Sequence, residues 1–255
     1  MHKMTIKTNC KHFLQMVKES TPQSIKNPLR KIGFDKLWPL LVNKYDVELY
    51  FQQKWAKEFA LNKDKVFEYW NKYRCLDEIK RVCGINDDKK ILDIGCGIST
   101  VLHFINGERY GIDPLADQYL KLYKYPKDIT IKYGLGEDIP FQDQFFNIIF
   151  CSNALDHTIN PHKTISEIYR VLKDNGFFVL TVEFFETEGS RDLAHPHNFT
   201  NNHLHSLLAK KFRTVFQKTS PWIGLSNYVQ GGGKSDTEES VMVCQKLSNE
   251  KRESP

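Results

Sequence analysis

At 255 residues, 40% of them hydrophobic and 26% charged, the chain has material for one large domain or a domain with an extension, and is too apolar for intrinsic disorder. It has no apolar run near the ~20 residues that cross a bilayer, a charged stretch where a secretory signal would be apolar (Met1–Cys10), and six cysteines (Cys10, Cys75, Cys83, Cys96, Cys151, Cys244) without a CxxC pair. A cytoplasmic protein is therefore expected, rather than a membrane, secreted or disulfide-stapled one.

The net charge of +5 is uneven, with 17 Lys/Arg against 9 Asp/Glu in residues 1–84. A basic arm could meet nucleic acid, but these lysines are dispersed as on a solvated face. The first 40 or so residues are interrupted by Pro22, Pro28 and Pro39 and define no element. From Asp46 to Val82 the spacing predicts helix, with a stripe of Val47, Phe51, Trp55 and Phe59 continued by Val66, Tyr69, Trp70, Tyr73, Leu76 and Ile79. So many aromatics on one face point to core packing. Residues 1–84 read as a helical extension or lid, and residues 85–255 as a separate α/β domain.

At Lys89 the period changes. Lys90–Ile94 is a short apolar run ending in glycines, as in a buried parallel strand. Strands are then predicted at Arg109–Ile112, Ile129–Lys132, Phe146–Ser152 and Phe177–Glu183, with a closing pair at Thr214–Lys218 and Ser240–Gln245. Helices are predicted near Ser99–Asn106, Leu115–Tyr123, Pro161–Leu172 and Asn201–Lys211, the third starting on Asn160 as N-cap with Pro161 behind it. This alternation gives a Rossmann-like, doubly wound, mostly parallel seven-stranded sheet with helices on both faces.

The chemistry concentrates where the first strand ends, in Leu92-Asp93-Ile94-Gly95-Cys96-Gly97-Ile98-Ser99. Open α/β sheets bind ligands at that edge, and paired glycines let a ligand approach the backbone. A dinucleotide fingerprint would need a third glycine where Thr100 stands. Asp93 would also repel a pyrophosphate, so the loop favours a ligand with an amine or sulfonium. Asp113 ends the second strand. It could accept hydrogen bonds from both hydroxyls of an adenosine ribose, or cap the helix that follows Pro114.

These motifs resemble those of the class I S-adenosylmethionine-dependent methyltransferases, particularly the small-molecule group. The likeness covers Lys89–Glu183 and includes Gly136-Glu137-Asp138-Ile139-Pro140-Phe141, Ser152-Asn153-Ala154-Leu155-Asp156-His157 and Arg170-Val171-Leu172-Lys173-Asp174-Asn175-Gly176. It implies S-adenosylmethionine as cofactor. By resemblance, Asp93, Gly95 and Gly97 would line its methionine and ribose, Asp113 would hold the ribose hydroxyls, Glu137 and Asp138 would border the adenine, and Ser152 and Asn153 would face the methionine or methyl group.

For a hydroxyl acceptor, His157 is the candidate base, its ordinary pKa near ~6.5 suiting proton abstraction; otherwise it packs beside the cofactor. His195 and His197 are expected in a substrate-facing loop. An H-x-H pair can chelate zinc, with Asp192 or Glu183 as a further ligand, but no third ligand stands at a metal-binding spacing, so no metal is expected. Trp55, Phe59 and Trp70 are candidates to face the acceptor. The expected activity is methylation of an oxygen on a small polar metabolite or sugar-like acceptor. The alternatives are an RNA methyltransferase acting on uridine or ribose, and an inactive cofactor-binding subunit.

Overall fold

A run of helical spacing says nothing about where a chain must bend, and the predicted stretch from Asp46 to Val82 is three helices. The structure, a computed structural model, describes residues 44–189, 195–232 and 237–248. Cys10, the proline-interrupted segment and Asp192 lie outside those residues. Helix α1 (Lys44–Leu61) stops at Asn62, α2 (Lys63–Lys72) follows, and Cys75 takes a left-handed conformation (φ 55°) before α3 (Leu76–Cys83). Trp55, Phe59, Val66, Tyr69, Trp70, Leu76 and Ile79 are buried as the stripe predicts, whereas Phe51 is 39% exposed.

Strand β1 (Lys90–Ile94) is followed by a single 3-10 turn, Val101–Phe104, rather than the helix expected over Ser99–Asn106. The β-branched residues Ile98, Thr100, Val101 and Ile105 disfavour helix there. Thr100 also caps the turn by accepting from the Leu102 N–H (3.2 Å). Next come β2 (Glu108–Asp113), α4 (Ala116–Leu122), β3 (Ile129–Tyr133), β4 (Phe146–Ser152), α5 (Pro161–Val171), β5 (Leu172–Phe184), α6 (Asn201–Ala209), β6 (Phe212–Pro221), α7 (Leu225–Val229) and β7 (Glu238–Lys246). Asn160 caps α5 as the sequence requires, its side chain accepting from the Lys163 N–H with Pro161 in the first turn.

The seven strands form one sheet in the order β3-β2-β1-β4-β5-β7-β6. It is parallel except for β7, which runs antiparallel to both β5 and β6. Central strands buried on both faces serve two cores. Ile91, Phe150 and Val179 meet Trp55, Phe59 and Ile79 on one side, and Leu92, Ile149 and Leu180 meet Ile165, Ile168 and Leu204 on the other. Each fully buried side chain of this size contributes roughly 1.5–3 kcal/mol before entropy.

One charged pair is sealed into this packing. Arg74, after α2, meets Glu239 of β7 at 2.7 Å with both side chains buried. Its guanidinium also donates to the Tyr69 hydroxyl, which itself donates to the Ile223 carbonyl (2.8 Å). The helices are thereby tied to the antiparallel end of the sheet. Cys75, Cys83, Cys96, Cys151 and Cys244 are buried free thiols. No helix among the described residues is long and apolar enough to cross a membrane.

Connections from β1 run toward β2 on one side while β4 flanks it on the other. That reversal opens a crevice above the carboxyl ends of β1, β2 and β4.

Candidate active site

The crevice begins at the glycine loop. Gly95 (φ 66°) and Gly97 (φ 52°) lie in the left-handed region, and the N–H groups of Gly95 and Cys96 both donate to the Ile112 carbonyl. The first position tolerates no side chain, because a Cβ there would sit 2.4 Å from the Ala154 Cβ. The loop is fixed from beneath by Asp93, whose carboxylate accepts from the Thr100 hydroxyl (2.6 Å) and is pushed up to about 7 by burial. It is fixed from the side by the Tyr125 hydroxyl, which donates to the Gly97 carbonyl (2.8 Å).

Asp113 closes the far side. One of its oxygens accepts from the Leu115 N–H (2.9 Å) and the other from the Gly97 N–H (3.2 Å). It thus ties down the start of α4, as one sequence reading expects, and it also borders the crevice. Burial raises its pKa to about 6 despite those donors.

From above, α1 lies across the loop. Gln52 accepts from the Ile98 N–H (3.3 Å) and donates to Glu48 (2.8 Å). From below, β4 ends in Asn153, held in a left-handed conformation (φ 50°) with its N–H donating to the Thr181 carbonyl. The Ser152 hydroxyl and the Asn153 side-chain oxygen are buried without a hydrogen-bond partner. Unmet acceptors of this kind are costly unless something binds them.

These elements border an open crevice of about 770 Å³, solvent at its mouth included. Gly95, Asp113, Glu137, Asn153 and His157 of the sequence candidates line it; Asp93, Gly97, Asp138 and Ser152 do not, Asp138 being exposed. The Glu137 carboxylate also braces the rim, accepting from the N–H groups of Ile159 (2.5 Å) and Asn160 (3.1 Å). Asp138 is held in a tight turn by its own N–H, which donates to the Leu135 carbonyl. None of Trp55, Phe59 and Trp70 reaches the crevice. Tyr45 and Glu48 of α1 do, two residues not singled out from the sequence. With Gln52 they recur at helical spacing beside the apolar stripe, which is the signal that could have found them.

The histidines separate. His195 stacks obliquely against His157, ring centroids 4.3 Å apart, whereas His197 meets the Ile159 carbonyl (3.2 Å) at the rim.

Residues 92–180 match a family described as "Methyltransferase domain". Over that stretch the chain is similar to a methyltransferase domain. It is 31% identical over 121 residues to the ubiquinone biosynthesis O-methyltransferase of Glaesserella parasuis, covering 40% of this chain and 51% of that one. An uncharacterized protein of Methanocaldococcus jannaschii is 30% identical over 132 residues, 51% of each chain. The chain thus spans about half the length of the curated relatives it matches. The solved structure of YcgJ from Bacillus subtilis superposes with a TM-score of 0.52 at 16% identity, covering 69% of this chain and 99% of that one.

The residues of the crevice fit S-adenosylmethionine. Its lining holds three carboxylates (Glu48, Asp113, Glu137) and, among the described residues, no Lys or Arg, which suits a ligand carrying sulfonium and ammonium charges. Ile94, Pro114, Leu115 and Leu135 offer apolar walls to a purine. Asn153 offers an unmet side-chain oxygen to the ligand's polar end.

Proposed function

We propose that the protein transfers a methyl group from S-adenosylmethionine to an oxygen of a small polar or sugar-like acceptor. The observation that carries the reading is the acidic, glycine-floored crevice with an imidazole at its lip. Gly95, Asp113 and Asn153 would hold the cofactor, Asp113 through the ribose hydroxyls, with the adenine between the apolar walls. Bound there, the cofactor supplies an activated methyl group on sulfur. What remains for the protein is placement, since holding reactants in line can supply up to ~7–11 kcal/mol of the barrier.

Acceptors would enter beside His157, Thr158 and Ile159, under the α1 residues Tyr45 and Glu48. A hydroxyl acceptor must lose a proton, and His157, with Asp156 and His195 beside it, is the group placed to manage that loss.

Calorimetric titration of S-adenosylmethionine and S-adenosylhomocysteine tests the cofactor half. The Asp113→Ala variant should bind about 1–3 kcal/mol more weakly, the cost of removing a charged hydrogen-bond partner. Incubation with pools of hydroxylated metabolites and labelled cofactor tests the rest. A folded protein that never forms S-adenosylhomocysteine with any pool rejects the activity.

A further inference from the structure

The sequence offers no metal-binding spacing, yet the fold assembles one carboxylate and two imidazoles from distant segments. Asp156 and His157 come from the 3-10 turn Leu155–His157 after β4, and His195 from the segment after β5. One ligand atom from each lies within 4.8 Å of the other two. We propose that Asp156, His157 and His195 bind a divalent first-row transition-metal ion, zinc or a close neighbour, in the wall of the crevice.

Both halves of the site are held in place by backbone. The turn is fixed by the His157 N–H donating to the Ala154 carbonyl (3.2 Å) and the Thr158 hydroxyl donating to the Leu155 carbonyl (2.7 Å). The His195 segment is pinned where the Phe185 N–H donates to the Phe199 carbonyl (2.9 Å) and where His197 meets Ile159. Asp156 is buried, and the two imidazoles are partly exposed, which leaves them room to turn. A zinc ion at ~2.0–2.2 Å from each ligand brings the ligand atoms to about 3.5 Å from one another. Small rotations of the two rings supply that closure.

Two imidazoles and one carboxylate select zinc and its neighbours over magnesium or calcium, which prefer all-oxygen surroundings. Three protein ligands leave a fourth position, as in catalytic rather than structural zinc sites. His157 lines the crevice, so that position is reached from it. What the ion would do rests on the proposed methyl transfer; that it binds does not. On that reading the ion takes over the role given above to His157 as base: the acceptor hydroxyl, acidified by the ion, gives its proton to bulk water. The oxygen then forms the new bond to the methyl carbon as the carbon–sulfur bond breaks, its electron pair staying on sulfur.

The test is calorimetric titration of zinc chloride into chelator-treated full-length protein. One ion per chain is expected. His195→Ala should weaken its affinity at least tenfold, and His205→Ala, on α6 beside Phe212 and Arg213, should bind as the wild type does. Equal affinity of wild type and His195→Ala would overturn the site. Should His195→Ala not fold, cobalt(II)-loaded wild type decides: two paramagnetically shifted imidazole N–H signals uphold the assignment, and fewer than two reject it. Titrating S-adenosylmethionine into the same samples reads the other proposal separately. Ion binding without cofactor binding upholds the metal site and rejects the methyltransferase reading; cofactor binding without ion binding does the reverse.

Discussion

Asp113 and Asp93 are both buried carboxylates of one loop, and they respond to pH in ways that can be told apart. Asp113 holds its proton up to about 6, and hydroxyl groups donate well only to its ionised form. Cofactor affinity should therefore fall as pH is lowered through about 6, and calorimetry across pH 5 to 8 would show it. A flat profile would remove Asp113 from the ribose contact. Asp93 does not line the crevice. Its pKa in the fold, about 7, lies above the ordinary carboxylate value, so its contribution to stability is complete at low pH and lost as pH rises through about 7. Asp93→Asn can still accept from Thr100 and avoids ionising. It should melt higher than wild type at pH 8, with the difference shrinking toward pH 5; a pH-independent difference would contradict the buried-charge argument.

The same residues show what could be read beforehand. Gly95, Gly97 and Asp113 stand at strand ends, where the period of the sequence itself marks the site. Glu48 and Tyr45 sit on a helix whose apolar stripe draws attention to the opposite choice, Trp55 and Phe59, both of which are buried in the core. The meeting of His157 with His195 depends on how two loops return over the sheet, and no local spacing encodes it. The helix expected over Ser99–Asn106 failed for a local reason, a β-branched run that Thr100 caps into one turn.

Among elements, the contact between the β1 loop and the end of β4 is the tightest constraint at the site. Gly95→Ala demands a left-handed alanine and a shift of the Ala154 backbone, since 2.4 Å between carbons cannot be accommodated. The conformational cost alone is about 1–3 kcal/mol. Urea denaturation should show at least that loss, together with weakened cofactor binding. At Gly97 the nearest atom to an added Cβ is the Gln52 side-chain nitrogen at 3.1 Å, the end of a flexible side chain. Gly97→Ala should therefore be limited by its backbone strain and cost less. Equal costs for the two would mean that the loop and β4 are not packed as described.

Across the whole molecule, Arg74 and Glu239 join the helical half to the last strand. Removing Arg74 leaves Glu239 buried without its counter-ion, a loss of about 3–5 kcal/mol in comparable pairs. Arg74→Ala should show a loss of that size in chemical denaturation. The double variant Arg74→Met/Glu239→Gln, which removes both charges, should recover part of it. A double variant no more stable than Arg74→Ala would indicate that the pair matters through its hydrogen bonds to Tyr69 rather than through its charge.

The position of β7 has a consequence for how the protein is made. It is synthesised after every other strand described, yet it lies inside the sheet, hydrogen-bonded to β5 on one side and β6 on the other. Until Glu238–Lys246 has emerged, β5 presents an open apolar edge and β6 has no neighbour to pair with. The nascent chain must hold that edge unsatisfied on the ribosome, the circumstance in which chaperones are recruited and strands mispair. A chain stopping at residue 237 would keep every residue of the candidate active site and still lack a closed sheet to support it.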